Sequence, residues 1–165
     1  MFGTLTTEQL NWKPDTETWS IAQNIEHIIM MNESYFNKID EIKNGTGKTP
    51  FLTRFDFIVN FMGNAIAKYG QPDRKKRTET FELWNPANRD FSPSILIDFE
   101  DHQNEFKRQV KQSGSLVKKG VIIPSPATKL LFYKLDKALD FMVGHEERHF
   151  YQAKEVFDQL YISKK

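Results

Sequence analysis

The chain lacks cysteine entirely, and this absence excludes several kinds of site. Without thiols the protein has no disulfide framework, no thiolate metal site and no cysteine nucleophile. Residues 1–10 also lack the basic start and the apolar run of a signal peptide. These two absences together predict a cytoplasmic protein.

Long hydrophobic runs and a strong net charge are missing as well. No apolar run approaches the roughly 20 residues that span a bilayer, so we expect no membrane association. The net charge is only +1, which gives no general reason to expect a nucleic-acid partner. A basic run at Arg74-Lys75-Lys76-Arg77 keeps that partner as a weak alternative. Because no aromatic residues alternate with these charges, a solvated loop is the simpler interpretation.

What the chain does contain is enough apolar material for one aromatic core. It has 165 residues, of which 39% are hydrophobic and 14 are phenylalanine. This length suits a single domain over residues 1–165. Residues 1–17, with Pro14 as a breaker, predict a short turn of helix followed by a loop.

The clearest helix, helix A, begins after Ser20. Ser20 and Gln23 have the spacing of a capping box, in which each side chain bonds the other's backbone N–H. The helix should end near Lys43, because Asn44-Gly45-Thr46-Gly47 and Pro50 are stop signals. One apolar stripe predicts its buried side: Ile21, Ile25, Ile28, Asn32, Tyr35, Ile39 and Ile42.

Three further helices are predicted. Helix B covers about residues 53–69. Helix C opens with Ser92 as N-cap and Pro93 at the first helical position, and helix D opens in the same way at Ser125 and Pro126. In helix B the residues expected to face the core are Phe57, Ile58, Phe61, Met62, Ala65 and Ile66. In helix C, which Gly114 closes, they are Ile95, Phe99, His102, Phe106 and Val110. In helix D they are Leu131, Leu135, Leu139, Met142, His149, Val156 and Leu160.

Four amphipathic helices with almost no strand signal predict an all-α protein, a four-helix bundle. The A–B and C–D links are short enough to join antiparallel neighbours. The B–C link has about 22 residues, which is long for a compact domain. We therefore predict the order up-down-down-up, with a long crossover between the second and third helices that makes helices A and D neighbours.

Histidines on helices A and D are the candidates for chemistry. His145 and His149 are four residues apart, so on a helix they share one face, with Gln152 one turn further on. His27 flanks the buried stripe of helix A. An isolated pair of this spacing is more often a solvated feature, but with His27 the pair would form a triple-histidine metal site with open positions for water and substrate. His102 is predicted to be a hydrogen-bonded core histidine.

Residues 145–149 also fit the H-E-x-x-H pattern of zinc proteases, in which the glutamate is the general base. Those enzymes take a third ligand downstream, and no histidine follows His149. Glu155 and Asp158 continue the same helix and cannot fold back on the ion. We therefore interpret the match as coincidence and keep Glu146 only as a group that could bond a metal-bound water or lie in solvent.

At this level of detail the chain resembles the DinB-like (DNA-damage-inducible) superfamily. The resemblance rests on Leu10-Asn11-Trp12-Lys13-Pro14, on Trp19-Ser20 opening the helix that carries His27, and on the pattern H-x3-H-x2-Q from His145 to Gln152. It implies a four-helix bundle, often a homodimer, in which His27, His145 and His149 bind a divalent metal, usually zinc or nickel. It further implies a small-molecule substrate, since characterised relatives include S-transferases that use low-molecular-weight thiols, maleylpyruvate isomerases and metal-dependent hydrolases.

The chain departs from that family at its start, because only nine residues precede Leu10 where relatives have a full helix. Either this helix is lost, leaving a groove or a dimer surface, or the chain start is truncated. Two functions follow as alternatives. One is a metal-dependent transferase or hydrolase, whose site Gln152, Glu146, Phe81 and Trp84 could adjoin. The other is a non-catalytic metal-binding or stress-response module.

Overall fold

A computed structural model describes residues 1–47, 51–71 and 80–162. In chain order the helices are α1 (Thr7–Asn11), α2 (Ile21–Lys43), α3 (Asp56–Gly70), α4 (Ser94–Gln112), α5 (Gly114–Lys118) and α6 (Leu135–Ile162). Short 3-10 turns cover Phe51–Arg54 and Glu82–Trp84. Strands β1 (Ile122–Pro124) and β2 (Phe132–Lys134) form an antiparallel pair. The predicted all-α class is confirmed, and the predicted basic run at residues 74–77 lies outside the described residues.

Helix α2 forms as its sequence predicts. The Ser20 hydroxyl accepts a hydrogen bond from the Gln23 backbone N–H at 3.1 Å, and the Gln23 side chain accepts one from the Ser20 N–H at 3.2 Å. The helix ends at Lys43, and Gly45 follows with φ of 71°, a conformation that glycine adopts without strain. The short lead-in helix before Pro14 is also present as α1. Local signals are therefore sufficient for this part of the chain.

The predicted start of the last helix, at Ser125 and Pro126, is wrong. Residues 122–134 form a β-hairpin, and α6 begins only at Leu135. The Ser125 N–H donates to the Leu131 carbonyl at 2.8 Å and its hydroxyl accepts from the Ala127 N–H, so Ser125 shapes the hairpin loop instead of capping a helix. The hairpin is stabilised by the burial of large side chains on its strands: Ile123, Phe132 and Tyr133.

The predicted inward face of helix B is wrong in part: Ile66 packs against the core and Ile58 and Met62 are half-buried, but the two phenylalanines are not inside. Phe57 and Phe61 are 73% and 76% exposed, whereas Val59, Gly63 and Gly70 are buried. Helix α3 approaches α6 through its glycines: a Cβ at Gly70 would lie 2.7 Å from a ring carbon of Phe141. Since only small residues allow this close approach, the larger side chains turn outward.

Helix α4 has most of its predicted inner face. Ile95, His102 and Phe106 are buried, but Val110 is 40% exposed, and Gln109 is buried beside it. The predicted cap is displaced by one residue, because Pro93 occupies the N-cap position and no side chain caps the helix. The Ser92 hydroxyl bonds the Ser94 hydroxyl at 2.6 Å. The helix ends at Gln112, and Gly114 begins α5.

The predicted up-down-down-up order does not agree with the contacts between the helices. Asn24 and His27 of α2 meet His149 and His145 of α6, so these two helices are antiparallel neighbours. The contacts between α2 and α4 run from Asn32 with His102 to Lys43 with Gln109, so these two helices are parallel. Helices α3 and α6 are also parallel, because Gly63 lies against Lys137 and Gly70 lies against Phe141. The long helices therefore alternate in direction.

The long link is explained by the shortness of α3. Gly70, at the end of α3, lies against Gly144, near the middle of α6. The link must therefore cover the remaining length of the bundle before α4 begins. Its described part does so along α2, since Trp84 bonds Ser34 and Ala87 bonds Glu26.

Two apolar clusters form the core on either side of the histidines. One surrounds the hairpin and the middle of the bundle and includes Met31, Tyr35, Phe36, Trp84, Phe106, Tyr133, Phe141 and Met142. The other joins α1 to the start of α2 and the end of α6 and includes Leu5, Leu10, Ile21, Ile25, Phe91, Ile95, Ala153 and Val156. None of the described helices is long and apolar enough to pass through a membrane.

Candidate metal centre

His27 of α2 and His145 and His149 of α6 converge in the interior. One ligand nitrogen from each of the three lies within 4.8 Å of the others. The Nε2 atoms of His27 and His145 are 3.3 Å apart. Two nitrogens that bind one tetrahedral ion at about 2.0–2.1 Å are separated by about 3.3 Å. The structure thus brings the predicted triad together at a spacing that suits a metal ion.

Two of the three rings are oriented by hydrogen bonds at their other nitrogen. His27 Nδ1 lies 2.6 Å from the backbone carbonyl of Trp84, and His149 Nδ1 lies 2.9 Å from Asn24 Oδ1. Both partners are acceptors, so each Nδ1 must carry the proton and each Nε2 presents a lone pair. This arrangement is typical of metal-binding histidines, whose outer partner fixes the tautomer and the ring orientation.

The Asn24 side chain is itself held in place. Its Nδ2 donates to the carbonyls of Trp19 and Ser20, at 3.4 Å and 2.9 Å. Because carbonyls only accept, the amide nitrogen must point towards them and the oxygen must point towards His149. The N-terminal turn of α2 therefore positions a candidate ligand that belongs to the last helix.

His145 differs from the other two ligands. Its Nδ1 is buried and is hydrogen-bonded to no group of the described chain. Its Nε2 faces His27 Nε2, which carries a lone pair. A cation between the two Nε2 atoms would be bound by one lone pair from each ring, with the proton of His145 then on Nδ1. The donor set therefore fits a divalent ion.

Burial keeps the triad neutral. It lowers the pKa of His27 to about 4, although the hydrogen bond to the Trp84 carbonyl opposes this shift. Burial also lowers the pKa of His145 and His149 well below the usual value, and the neighbouring histidines and the positive charge of Arg148 add to the effect. Neutral imidazole is the form that binds a metal ion, so no proton competes for the site near pH 7.

Aromatic rings enclose the site. Trp19 contacts both His27 and His149, with ring centroids 4.8 Å and 5.8 Å away. Phe141 contacts His145 at 5.2 Å. Two cavities of the described chain lie away from the triad. One of about 310 Å³ is lined by Asn11, Lys13, Ser20, Gln23, Asn88, Arg89 and Asp90, and the other, of about 540 Å³, by Phe157, Asp158, Tyr161 and Ile162.

A second polar cluster lies beside the triad, between α2, α4 and α6. Glu146 Oε1 accepts hydrogen bonds from Asn32 at 2.5 Å and from Gln103 at 2.8 Å, while Asn32 also bonds His102 at 3.1 Å. Burial raises the pKa of Glu146, and the two amide donors oppose this shift. Burial lowers the pKa of His102 to about 4, and its ring stacks on Phe36. His102 is thus a hydrogen-bonded core residue, as its sequence position predicts.

The predicted neighbours of the site differ in where they lie. Trp84 is at the site, but through its backbone carbonyl, because its indole N–H donates to Ser34 at 3.0 Å. Glu146 is the shared acceptor of the second polar cluster and is not hydrogen-bonded to a triad residue in the described chain. Gln152 is exposed on the outer side of α6, so it is not brought to the triad.

Three residues at the site were not predicted as site residues. Asn24 is one turn before His27, a spacing that could have marked it as a neighbour of the site. Trp19 belongs to the Trp-Ser motif and could have been found with it. Arg148 lies between the two ligands of α6, is only 8% exposed and stands over the Tyr69 ring at 5.6 Å. No sequence pattern marks Arg148 as buried, since an arginine on a helix is usually solvated.

The fold and the triad define the class of the protein as a helical bundle with a triple-histidine site that can hold a divalent metal. The family model of the DinB superfamily matches residues 1–153. The chain therefore belongs to the DinB superfamily. No curated protein and no solved structure matches it.

Proposed function

We propose that the protein is a metal-dependent enzyme that binds zinc or nickel through His27, His145 and His149 and acts on a small molecule. The carrying observation is the pair of Nε2 atoms 3.3 Å apart, with the Nδ1 atoms of His27 and His149 held by acceptors. Three protein ligands with an open position are typical of catalytic metal sites, whereas structural sites are closed by four. The reaction class that we propose is thiol-dependent S-transfer or hydrolysis.

A divalent ion at this site would lower the pKa of a water molecule or a thiol in its open position. The residues of the chain have three tasks in this scheme. His27, His145 and His149 supply neutral donors, Asn24 and the Trp84 carbonyl orient two of them, and Trp19 separates the rings from solvent.

Arg148 favours a thiol or another anion as the exogenous ligand. Its positive charge contributes to the lowered pKa of all three histidines, so its field reaches the triad. A cation beside a neutral donor set stabilises a negatively charged group there. Thiolate is such a group, which is why low-molecular-weight thiols are the first candidates for a co-substrate.

A non-catalytic role is the alternative, and one observation favours it. The triad residues are only 2%, 5% and 7% exposed, which leaves little of their surface open to a substrate. In that case the ion would fix α2 to α6, and its affinity would contribute directly to folding stability.

The first test is elemental analysis of tag-free protein. We expect about one divalent ion per chain in the wild type and a loss of most of it in His149→Ala. His102→Ala is the matched control, since His102 is also a buried histidine but lies outside the triad. Equal metal content in wild type and His149→Ala would refute the site.

A second test separates the catalytic role from the structural one. The metal-loaded protein is assayed with a panel of thiols and electrophilic substrates, and unfolding is measured with and without chelator. Turnover that His149→Ala abolishes, in a protein that stays folded without metal, supports the enzyme. Unfolding on chelation without turnover supports the structural alternative.

A further inference from the structure

The cavity of about 310 Å³ carries charges of both signs in its lining. Lys13 and Arg89 are positive, Asp90 is negative, and Asn88 adds an amide group. None of the residues that line it is a histidine of the triad, so it is separate from the candidate metal centre. We call it the charged cavity.

One wall of the charged cavity is a short segment that is held at both ends. The Ala87 N–H donates to Glu26 Oε2 at 2.6 Å, and the Ala87 carbonyl accepts a hydrogen bond from Gln23 Nε2 at 3.3 Å. At the other end, the Asn11 side chain bonds the carbonyl and the N–H of Phe91, at 2.8 Å and 2.9 Å. The three residues between these ends therefore have a fixed backbone from which their polar side chains project.

The charges of the cavity are not paired with each other. Lys13, Asn88 and Asp90 form no hydrogen bond or ion pair with any group of the described chain. Lys13 is also half-buried, so water does not surround it fully. Opposite charges attract each other strongly where water is partly excluded. A lysine and an aspartate that line one cavity without meeting therefore leave room for a ligand that contacts both.

Arg89 adds hydrogen-bond donors on the positive side of the cavity. Its guanidinium lies over the Phe91 ring at 4.6 Å, and its Nη2 atom is 3.6 Å from Glu26 Oε1. These contacts position the guanidinium, but 3.6 Å is too long for a hydrogen bond, so its N–H groups remain able to donate. A guanidinium can bind a carboxylate through two parallel hydrogen bonds.

We propose that the charged cavity binds a small zwitterion, an amino acid, whose carboxylate contacts Lys13 and Arg89 and whose ammonium group contacts Asp90. Glu26 balances the charge of Arg89, so one ammonium and one carboxylate of the protein remain to be matched. A simple anion would be repelled by Asp90, and a simple cation would be repelled by Lys13.

The size of the cavity agrees with a ligand of this class. Its volume of about 310 Å³ is at the lower end of the roughly 300–1,000 Å³ that is usual for ligand pockets. Its lining residues are polar or charged, with no large apolar side chain among them. Such a lining suits a compact and strongly hydrated molecule better than a large apolar one.

The first test is a titration of the isotope-labelled full chain, followed by the chemical shifts of its backbone amides. The probes are L-alanine and 4-aminobutyrate, two amino acids that differ in the distance between their charges. Each is compared with the acid and the amine that carry one charge only, which are propionate and ethylamine for the first and butyrate and propylamine for the second. We expect at least one amino acid to bind about tenfold or more tightly than its analogues. The proposal is overturned if neither does.

Substitutions test the two charges separately. Lys13→Gln and Asp90→Asn should each weaken binding of the amino acid about tenfold or more, since each removes a charged hydrogen-bonding partner. Lys107→Gln is the matched control, because Lys107 also has no ion pair in the described chain but lies on α4, outside the cavity. Unchanged affinity in both cavity variants, or an equal loss in the control, would show that the cavity is not the site.

The binding should not depend on the metal centre. Metal-free protein and the His149→Ala variant should bind the amino acid as the wild type does, because no triad residue lines the cavity. Circular dichroism checks that each variant is folded. Failure of the proposed metal site would therefore leave this result unchanged, and a protein that binds metal but no amino acid would contradict only the proposal for the cavity.

Discussion

Replacing Asn24 with alanine should weaken metal binding at the triad although Asn24 is not itself a ligand. Asn24 Oδ1 accepts the His149 Nδ1–H bond at 2.9 Å and so keeps His149 Nε2 directed at the other two ligands. Loss of such an outer partner typically lowers metal affinity about 10–100-fold. This corresponds to about 1.4–2.8 kcal/mol of binding free energy. We expect Asn24→Ala to fall within that range.

The same substitution should also destabilise the metal-free protein, and the two effects must be separated. Asn24→Ala removes the amide hydrogen bonds to the Trp19 and Ser20 carbonyls, each worth about 0.5–1.5 kcal/mol. Asn32→Ala is the matched control. Asn32 is another fully buried asparagine of α2, but it bonds His102 and Glu146 instead of a ligand. We expect it to lose stability and to keep its metal affinity.

The affinity is measured by titrating metal-stripped protein with zinc in competition with a chromophoric chelator, and stability by urea unfolding. Asn24→Asp keeps an acceptor for His149 and should recover much of the affinity lost in Asn24→Ala. The reasoning is refuted if Asn24→Ala binds zinc as tightly as the wild type. It is equally refuted if Asn32→Ala loses as much affinity as Asn24→Ala.

Two further predictions concern stability. Gly144→Ala should lower the free energy of unfolding in urea by about 1–3 kcal/mol, because the new Cβ would lie 2.8 Å from the Gly70 carbonyl oxygen. Gly114→Ala is the control and should leave the free energy of unfolding unchanged, because the space around Gly114 is open. Equal effects of the two substitutions would contradict the close contact of α3 with α6. Burial lowers the pKa of His102 from 6.5 to about 4. Between these two pH values the unfolded chain binds the His102 proton more readily than the folded chain does. Metal-free protein should therefore lose stability as the pH falls from about 6.5 to about 4. His102→Gln should flatten that dependence in thermal melts followed by circular dichroism with chelator present, and an unchanged slope would show that His102 does not contribute to it.

Sequence reasoning succeeded where a structure depends on neighbouring residues. The capping box at Ser20 and Gln23 and the glycine after Lys43 define α2 within a few residues at each end, and no distant contact is needed. It failed at Ser125 and Pro126, where a helix start and a hairpin loop have similar local sequences. The choice is made by the pairing of β1 with β2 and by burial of both strands, which no local pattern contains.

The predictions of the inner face of α3 and of the order of the helices failed for a related reason. Periodicity places large apolar residues inward, so it predicted Phe57 and Phe61 in the core. The helix that α3 meets allows only glycine at the contact, and that information lies in Phe141 and Gly144 of α6. The length of the link before α4 was likewise interpreted as a crossover, although it compensates for a short α3. Tertiary packing therefore determined both features.

The histidine site shows the same division between local and distant information, and it bears on the chemistry. Spacing alone placed His145 and His149 on one face and made H-E-x-x-H possible, but orientation comes from Asn24 and the Trp84 carbonyl, which are distant in sequence. Glu146 follows His145 directly, so it points about 100° around the helix, where Asn32 and Gln103 hold it. A general base must reach the proton that it removes. Since Asn32 and Gln103 hold Glu146 in the second polar cluster, the protease pattern and the candidate metal site share residues but not geometry.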